Sequence, residues 1–346
     1  MSSPPSAPSD GVPAWFWALL GATEVGQIEP QLRSLGLEMR EGLPRGVDTE
    51  SDTQAQTRDT FGYKWHRRET YESESGLAHM REWLIERYGP PEKFAFLQGA
   101  PEKPVVLDAG CGAGYSALEL FGPILDRIRY VGADISTAVD VAKSRFGERG
   151  FGDAAFIQAD IANLPIPAES VDAIFSEGVL HHTDSTKNAL LALAPKLKPG
   201  GRFMFYVYRR KGPIREFTDD YIRDKLQSMA PEEAWKSLEP LSRLGQTLGA
   251  LDIEVDVPEN IDLLSIPAGK INLQRLFYWH VFKAFYRPDM DLDEMNHINF
   301  DWYAPINAHR QSAEEVRQWC DEAGMEIERE RVEDAGITVI ARKNGG

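Results

Sequence analysis

The sequence of 346 residues contains only two cysteines, Cys111 and Cys320. Two cysteines cannot build a disulfide framework, and they exclude a zinc site made of cysteine ligands. Sparse cysteine is typical of proteins kept in a reducing compartment, so we expect a cytoplasmic protein.

Positive charge is also scarce. There are 38 Lys and Arg residues against 54 Asp and Glu, which gives a formal net charge of −16. Such a surface repels phosphate backbones, so we expect no nucleic-acid partner. The longest cationic cluster, residues 209–211, is too short to track a nucleic-acid strand.

Long hydrophobic runs are absent as well. The apolar run at residues 12–20 is too short to span a bilayer, and no basic residue precedes it as in a signal peptide. We therefore expect no membrane partner. The run predicts a small helix that packs its aromatic residues on the main body, and contact with a membrane surface is the alternative.

Apolar runs and helical patterns alternate from residue 105 onwards. Five strands are predicted, at residues 105–107, 129–133, 155–158, 171–176 and 202–208, with helices between them. This alternation favours an α/β fold with a doubly wound, mostly parallel sheet. A capped helix at residues 312–323 and two strands at 326–332 and 337–342 would complete a seven-stranded, Rossmann-like sheet.

These patterns divide the chain into four segments. Residues 1–60 are predicted to form a partly disordered N-terminal extension with a polar linker at 51–59. Residues 61–210 form the core, and residues 308–346 complete it with a helix and a hairpin. Residues 211–307, the insertion, carry helical patterns without a clear strand and are predicted to be a mostly helical lid over a substrate, with a loop at 296–303.

The first predicted strand of the core runs directly into a glycine-rich loop. Gly110, Gly112 and Gly114 alternate with other residues and allow a sharp turn and a close approach to a ligand. In open α/β sheets, ligands bind at the carboxyl ends of the strands. A dinucleotide-binding loop would need a third glycine where Tyr115 stands, so that alternative fails.

Acidic residues recur at the strand ends in register with this loop. Asp108 precedes the loop, Asp134 ends the second strand, Asp160 follows the third and Glu177 follows the fourth. This set, with the Pro-Gly-Gly turn at 199–201, resembles the class I S-adenosylmethionine-dependent methyltransferases over residues 104–210. The branch most similar to it contains the ubiquinone/menaquinone C-methyltransferases.

The resemblance implies S-adenosylmethionine as the cofactor and a role for each motif residue. The glycine loop would hold the methionine part, Asp134 the ribose hydroxyls through charged hydrogen bonds, and Glu177 the region of the methionine amino group. Asp160 would accept from the adenine amino group. The residues expected to complete the cofactor site by packing are Ile135, Ile161, Tyr63 and Trp65. The last two belong to an aromatic segment similar to one upstream of some methyltransferase domains, and an ordinary packing helix is the alternative for it.

Methyl transfer needs alignment and exclusion of water, and it needs a base only where the acceptor loses a proton. The candidates for that role are His181, His182, Tyr206 and His297. The candidates for contact with the substrate are Tyr208, Arg209, Asn299, Asp301, Trp302, Tyr303 and His309. We expect no metal.

The sequence therefore predicts an enzyme that transfers a methyl group from S-adenosylmethionine to oxygen, nitrogen or carbon of a small molecule. A protein that binds the cofactor without transferring a methyl group is the first alternative. A different sulfonium-assisted reaction on the same scaffold is the second. The identity of the acceptor and the oligomeric state stay open.

Overall fold

The computed structural model describes residues 11–46, 51–98 and 102–345. The predicted disorder of the first ten residues lies outside these ranges. Within them, nine strands form one mixed sheet, and a separate two-stranded hairpin lies in the insertion. The expected doubly wound α/β fold is confirmed, with two strands more than predicted.

The extra strands come from the N-terminal extension. The elements that precede the first core strand are, in chain order, α1 (Ala14–Leu19), α2 (Val25–Ser34), β1 (Leu37–Arg40), β2 (Leu43–Gly46), α3 (Asp52–His66) and α4 (Glu74–Tyr88). Helix α1 forms as predicted, and Phe16 and Trp17 are buried in the core cluster that includes the sheet. The predicted linker at 51–59 is wrong, because Ser51 caps α3 by accepting a hydrogen bond from the backbone of Gln54.

The core follows the predicted alternation. Its elements are β3 (Val105–Ala109), α5 (Tyr115–Phe121), β4 (Arg129–Asp134), α6 (Ala138–Glu148), β5 (Ala155–Gln158), β6 (Val171–Glu177), α7 (Thr186–Leu193) and β7 (Leu197–Tyr208). All five residues of β3 are buried, as expected for a central parallel strand covered on both faces.

The insertion differs from its prediction in two places. Its elements are α8 (Pro213–Leu226), α9 (Pro231–Ala250), β8 (Glu254–Val257), β9 (Gly269–Asn272), α10 (Leu273–His280) and α11 (Leu292–Tyr303). The β8–β9 hairpin was not expected. The predicted loop at 296–303 is wrong, because Asp291 and Glu294 form a capping box that starts α11 before these residues.

The chain ends with α12 (Ala313–Glu322), β10 (Met325–Val332) and β11 (Gly336–Lys343), as predicted. The order in the sheet is β1-β2-β5-β4-β3-β6-β7-β11-β10, with β10 and β11 antiparallel to their neighbours. The chain runs outward from β3 through β4 to β5 and then returns to the other side of β3 as β6. This reversal opens a crevice at the carboxyl ends of β3 and β6.

Candidate active site

A cavity of about 420 Å³ occupies this crevice. Its floor is made by residues at or just after the carboxyl ends of β3, β4, β5, β6 and β7, and its cover by α3, α4 and the insertion. The predicted cofactor residues that line it are Trp65, Gly110, Gly112, Asp134, Ile135, Asp160, Ile161 and Glu177. The topology thus brings together residues that lie more than a hundred positions apart.

The glycine loop has a backbone that other residues adopt poorly. Gly110 has φ of +91° and Gly112 has φ of +50°. A Cβ atom at Gly110 would lie 2.2 Å from Cγ1 of Val179, so the loop packs too closely for a side chain. The loop is held against the sheet because the backbone N–H of Gly110 donates to the carbonyl oxygen of Ala133 at 2.7 Å.

Asp134 ties this loop to the end of β4. Its Oδ2 accepts from the backbone N–H of Gly112 at 2.7 Å, and its Oδ1 accepts from the backbone and hydroxyl of Ser136. Burial raises the pKa of Asp134, while these hydrogen bonds oppose that shift. Each carboxylate oxygen can accept two hydrogen bonds, so Oδ2 retains capacity for a ribose hydroxyl.

Asp160 lies in the same wall, at the end of β5. Its Oδ1 accepts from the backbone of Ala162 at 2.9 Å and its Oδ2 from the side chain of Asn163 at 3.0 Å. These bonds cap the short turn that carries Ile161. The carboxylate therefore stabilises this turn, and each of its oxygens can still accept a second hydrogen bond, such as one from an adenine amino group.

Glu177 ends β6 and lines the cavity. Its Oε2 accepts from the hydroxyl of Tyr88, whereas Oε1 is buried and has no hydrogen-bond partner among the described residues. Burial raises the pKa of Glu177 to about 7. An ammonium group at Oε1 would satisfy this atom, so the residues present fit the methionine end of S-adenosylmethionine.

Three predicted cofactor residues lie elsewhere. Asp108 is buried beneath the loop, where it accepts from the hydroxyl of Tyr130 at 2.6 Å, and burial raises its pKa to about 7. Gly114 starts α5 and does not line the cavity. Tyr63 faces a second cleft and packs on Phe300, with ring centroids 5.9 Å apart.

His182 lines the cavity just after the end of β6. Its Nδ1 lies 2.6 Å from the carbonyl oxygen of Asn307, and a carbonyl only accepts, so Nδ1 carries the proton. Nε2 is then an acceptor, and it is buried without a hydrogen-bond partner among the described residues. Burial lowers the pKa of His182 to about 4, so the ring is neutral at pH 7.

His297 lines the cavity from α11 with the same tautomer. Its Nδ1 lies 2.7 Å from the hydroxyl oxygen of Thr70, and that hydroxyl donates to the backbone of Arg67 at 2.8 Å. The proton of the His297–Thr70 bond therefore comes from Nδ1, which leaves Nε2 as an acceptor. Burial lowers the pKa of His297 well below its ordinary value.

A buried charge pair joins α3 to α11 beside these histidines. Lys64 donates to Oδ1 of Asp301, and the hydroxyl of Tyr208 donates to Oδ2 at 2.8 Å. Burial lowers the pKa of Lys64. Burial opposes ionisation of Asp301, but Lys64 and other nearby cations hold its pKa well below the ordinary value.

The structure separates the remaining predicted acceptor residues. Tyr206, Tyr208 and Asp301 line the cavity. His181 is fully buried behind it, with its ring centroid 3.7 Å from that of Tyr208. The predicted residues outside the lining are Arg209, Asn299, Trp302, Tyr303 and His309. Asn299 accepts from the backbone of Phe285, and the Trp302 indole and Tyr303 hydroxyl donate to Asp219, so these three hold the insertion together.

Several lining residues were missed from the sequence. They are Lys64, Tyr71, Trp83, Tyr115, Tyr278, Phe285 and Arg287, which come from six different elements or loops. Each looks like an ordinary packing or surface residue in its own segment. The aromatic residues at 61–65 were the signal available in the sequence, and they lie in α3, the helix that carries Lys64.

The described residues contain neither a candidate metal cluster nor a helix that could span a membrane. No group of three or more His, Cys, Asp or Glu side chains among the residues described is arranged to hold a metal ion. None of the described helices combines the length and apolar character needed to cross a bilayer.

Comparison with known proteins points to the same core. The family model described as "Methyltransferase domain" matches residues 107–205. An uncharacterized methyltransferase, YcgJ, of Bacillus subtilis is 36% identical over 100 residues, which are 29% of this chain and 38% of the relative. The probable tRNA methyltransferase 9B of human is 31% identical over 131 residues, 37% of this chain and 26% of the relative. The chain thus spans less than half the length of these curated relatives.

Among solved structures, the magnesium protoporphyrin IX methyltransferase of Synechocystis PCC 6803 with bound S-adenosylmethionine aligns with a TM-score of 0.44 and 14% identity. The alignment covers 86% of this chain and all of that one. The core, residues 107–205, is a class I S-adenosylmethionine-dependent methyltransferase domain, and its cofactor is S-adenosylmethionine.

Proposed function

We propose that this protein transfers a methyl group from S-adenosylmethionine to a small organic acceptor held in the same cavity. One observation carries the proposal. The cavity lining combines the strand-end residues Asp134 and Glu177, which form the cofactor side, with a second set of aromatic rings and two neutral histidines, which form the acceptor side. A site that bound only the cofactor would not need this second set of lining residues.

The residues of the chain have separable tasks in this function. When bound, S-adenosylmethionine supplies a methyl carbon activated by a positively charged sulfur. Asp134 and the glycine loop hold the nucleoside end, and Glu177 neutralises the amino group of the methionine end. The rings on the opposite side exclude water and orient the acceptor, which accounts for much of the catalysis in a displacement of this kind.

A small acceptor is favoured over a nucleic acid by charge and by the lining. The names of some relatives describe tRNA methyltransferases, so tRNA is the competing acceptor. The chain carries a net charge of −16. The acceptor side of the cavity is covered by aromatic rings such as Tyr278 and Phe285, which suit a ligand buried among apolar groups.

We also propose that the protein acts in the cytoplasm. Cys111 and Cys320 are both buried and unbonded. This state is the one maintained in a reducing compartment.

Release of S-adenosylhomocysteine tests the function. The protein is incubated with S-adenosylmethionine and either pooled small phenols, amines and carboxylic acids or bulk tRNA. We expect turnover with a small-molecule pool, and loss of that turnover in Asp134→Asn at subsaturating cofactor. Turnover with tRNA alone would contradict the proposal. Cofactor binding by calorimetry without turnover in any pool would favour a binding protein instead.

A further inference from the structure

The acceptor side of the cavity is built from flat, apolar groups. Its lining residues are Met80, Trp83, Tyr206, Tyr208, Tyr278 and Phe285. The rings of Trp83 and Tyr206 meet edge to face with centroids 5.6 Å apart, so the walls are ordered by their mutual contacts. Walls of this kind favour a planar, aromatic body in the bound molecule.

The cationic side chains on this side are already paired with carboxylates within the protein. Lys64 pairs with Asp301, and Arg287 pairs with Asp289, Nε donating to Oδ1 at 2.9 Å. Glu294 accepts from the backbone of Asp291 in the capping box of α11. An anionic acceptor would therefore lose its hydration without gaining a free cationic partner from Lys64 or Arg287.

Two polar atoms on this side remain without partners among the described residues. Nε2 of His182 is a buried acceptor that calls for a donor. Nη1 of Arg287 is a buried donor that calls for an acceptor. A molecule with an O–H group and a second, hydrogen-bond-accepting oxygen satisfies both atoms.

Building on the proposed function, we infer that the acceptor is a planar aromatic molecule without an anionic group that is methylated on a hydroxyl oxygen, with His182 as the proton acceptor. The hydroxyl oxygen forms the new bond to the methyl carbon, and the C–S bond breaks with its electron pair retained by sulfur. The hydroxyl proton passes to Nε2 of His182. Atoms and charge balance without a further reactant.

The groups packed around His182 are compatible with this transfer. Burial lowers its pKa, as do Lys64 of α3 and Arg223 of α8, so the ring holds its lone pair free at neutral pH. Asp301 of α11 acts in the opposite direction on the same pKa. Its carboxylate therefore stabilises the imidazolium formed when the proton arrives.

The acceptor class is tested by binding, without turnover. Two probes of nearly equal shape are titrated by calorimetry into protein saturated with S-adenosylhomocysteine: neutral 6-hydroxy-2-acetylnaphthalene and anionic 6-hydroxy-2-naphthoate. We expect the neutral probe to bind about tenfold more tightly, because the carboxylate of the naphthoate loses its hydration on burial and gains no cationic partner. The methyl ether of the neutral probe, which lacks the donor for His182, is expected to bind more weakly than the phenol.

The role of His182 is tested with two variants and a matched control. His182→Asn keeps a donor near Asn307 and removes the acceptor at the position of Nε2, and His182→Gln keeps an acceptor that cannot take a proton. We expect both to lower kcat with the neutral probe by about 10²- to 10⁴-fold. Probe affinity should fall less than about tenfold. His66→Gln, at an exposed histidine outside this cavity, is expected to retain activity.

The outcomes separate this inference from the proposed function. If S-adenosylhomocysteine binds but the protein prefers the naphthoate, or binds neither probe, the inferred acceptor class is wrong. The proposed function is not contradicted by either result. Unchanged kcat in both His182 variants overturns the role of that residue. If S-adenosylhomocysteine itself does not bind, the proposed function fails and this inference fails with it.

Discussion

The two sides of the cavity are built in different ways. On the cofactor side, contacts join strand ends that are close in sequence, as between Gly112 and Asp134, 22 positions apart. On the acceptor side, Lys64 and Asp301 are 237 positions apart and belong to α3 and the insertion. The first side depends on backbone geometry at the end of a sheet, whereas the second depends on side chains from separate segments. With this arrangement, the side chains on the acceptor side can change while the backbone that binds the cofactor stays the same.

The largest effect is expected from a methyl group added to the glycine loop. Gly110→Ala places a Cβ atom against Val179 at a residue with φ of +91°, so the loop must shift. We expect affinity for S-adenosylhomocysteine to fall by about a hundredfold or more, given a strain of about 1–3 kcal/mol plus the steric conflict. Calorimetry measures it. Gly147→Ala, at a helical glycine with open space around it, is the control and should bind normally.

Breaking the ion pair that joins α3 to the insertion should damage stability and the acceptor side. Lys64→Met leaves Asp301 without its buried cation, and we expect a loss of about 3 kcal/mol in the free energy of unfolding, measured in urea. Lys64→Met combined with Asp301→Leu should lose less. Lys236→Met, which breaks an exposed pair with Glu232, should change stability little.

The same variant sharpens the contrast between the two sides. Affinity of Lys64→Met for S-adenosylhomocysteine should stay within about threefold of the wild type, because no cofactor contact is assigned to the ion pair. A loss of cofactor affinity as large as that of Gly110→Ala would show that the two sides are not separable.

A smaller effect is expected at the end of β4. Asp134→Asn keeps the shape of the side chain and removes its charge, so it should weaken S-adenosylhomocysteine binding by about tenfold, as for a charged hydrogen bond of about 1.5 kcal/mol. Asp126→Asn, at an exposed residue, is the control. Equal affinities for Asp134→Asn and wild type would remove this residue from the cofactor site.

The smallest effect is a pH dependence of cofactor affinity. Burial raises the pKa of Glu177 to about 7, so the carboxyl becomes protonated as the pH falls from 8 to 6 and no longer attracts an ammonium group. Affinity for S-adenosylhomocysteine should fall by up to about tenfold over that interval, the limit for one such group. Glu177→Gln should bind weakly and with little dependence on pH. If the affinity of Glu177→Gln depended on pH as steeply as that of the wild type, the titrating group would be a different residue.

The contrast between the sides also explains what could be predicted from the sequence. The central strands were found because their residues form short apolar runs bounded by glycine or acidic residues, which reflects burial within a parallel sheet. Glycines and acids at strand ends are similarly local signals. The fold and the existence of a cofactor site therefore follow from neighbouring residues.

The missed elements carry polar residues that only tertiary contacts explain. Helix α3 buries Gln54, Thr57, Thr60 and Lys64 on one face, a helical spacing hidden by their polarity. Helix α11 contains Asn296, which is fully buried and accepts a hydrogen bond from Ser242 at 2.6 Å. Asn, His and Asp are poor helix formers, so local propensity favoured a loop there. The capping box at the start of α11 was the available signal.

The hairpin β1–β2 was missed for a different reason. Each strand has four residues, and its contact with the sheet depends on the pairing of Arg45 with Gln158 of β5. A strand this short has too few residues to show an alternating pattern.

The central claim is that the cofactor and the acceptor occupy different sides of the cavity. A crystal structure with S-adenosylhomocysteine tests this claim most directly. We expect the ribose hydroxyls on Asp134, the amino group at Oε1 of Glu177, and the sulfur facing the side of the cavity that carries His182. Electron density that places the nucleoside among Trp83, Tyr278 and Phe285 instead, with Asp134 and Glu177 uncontacted, would contradict the account.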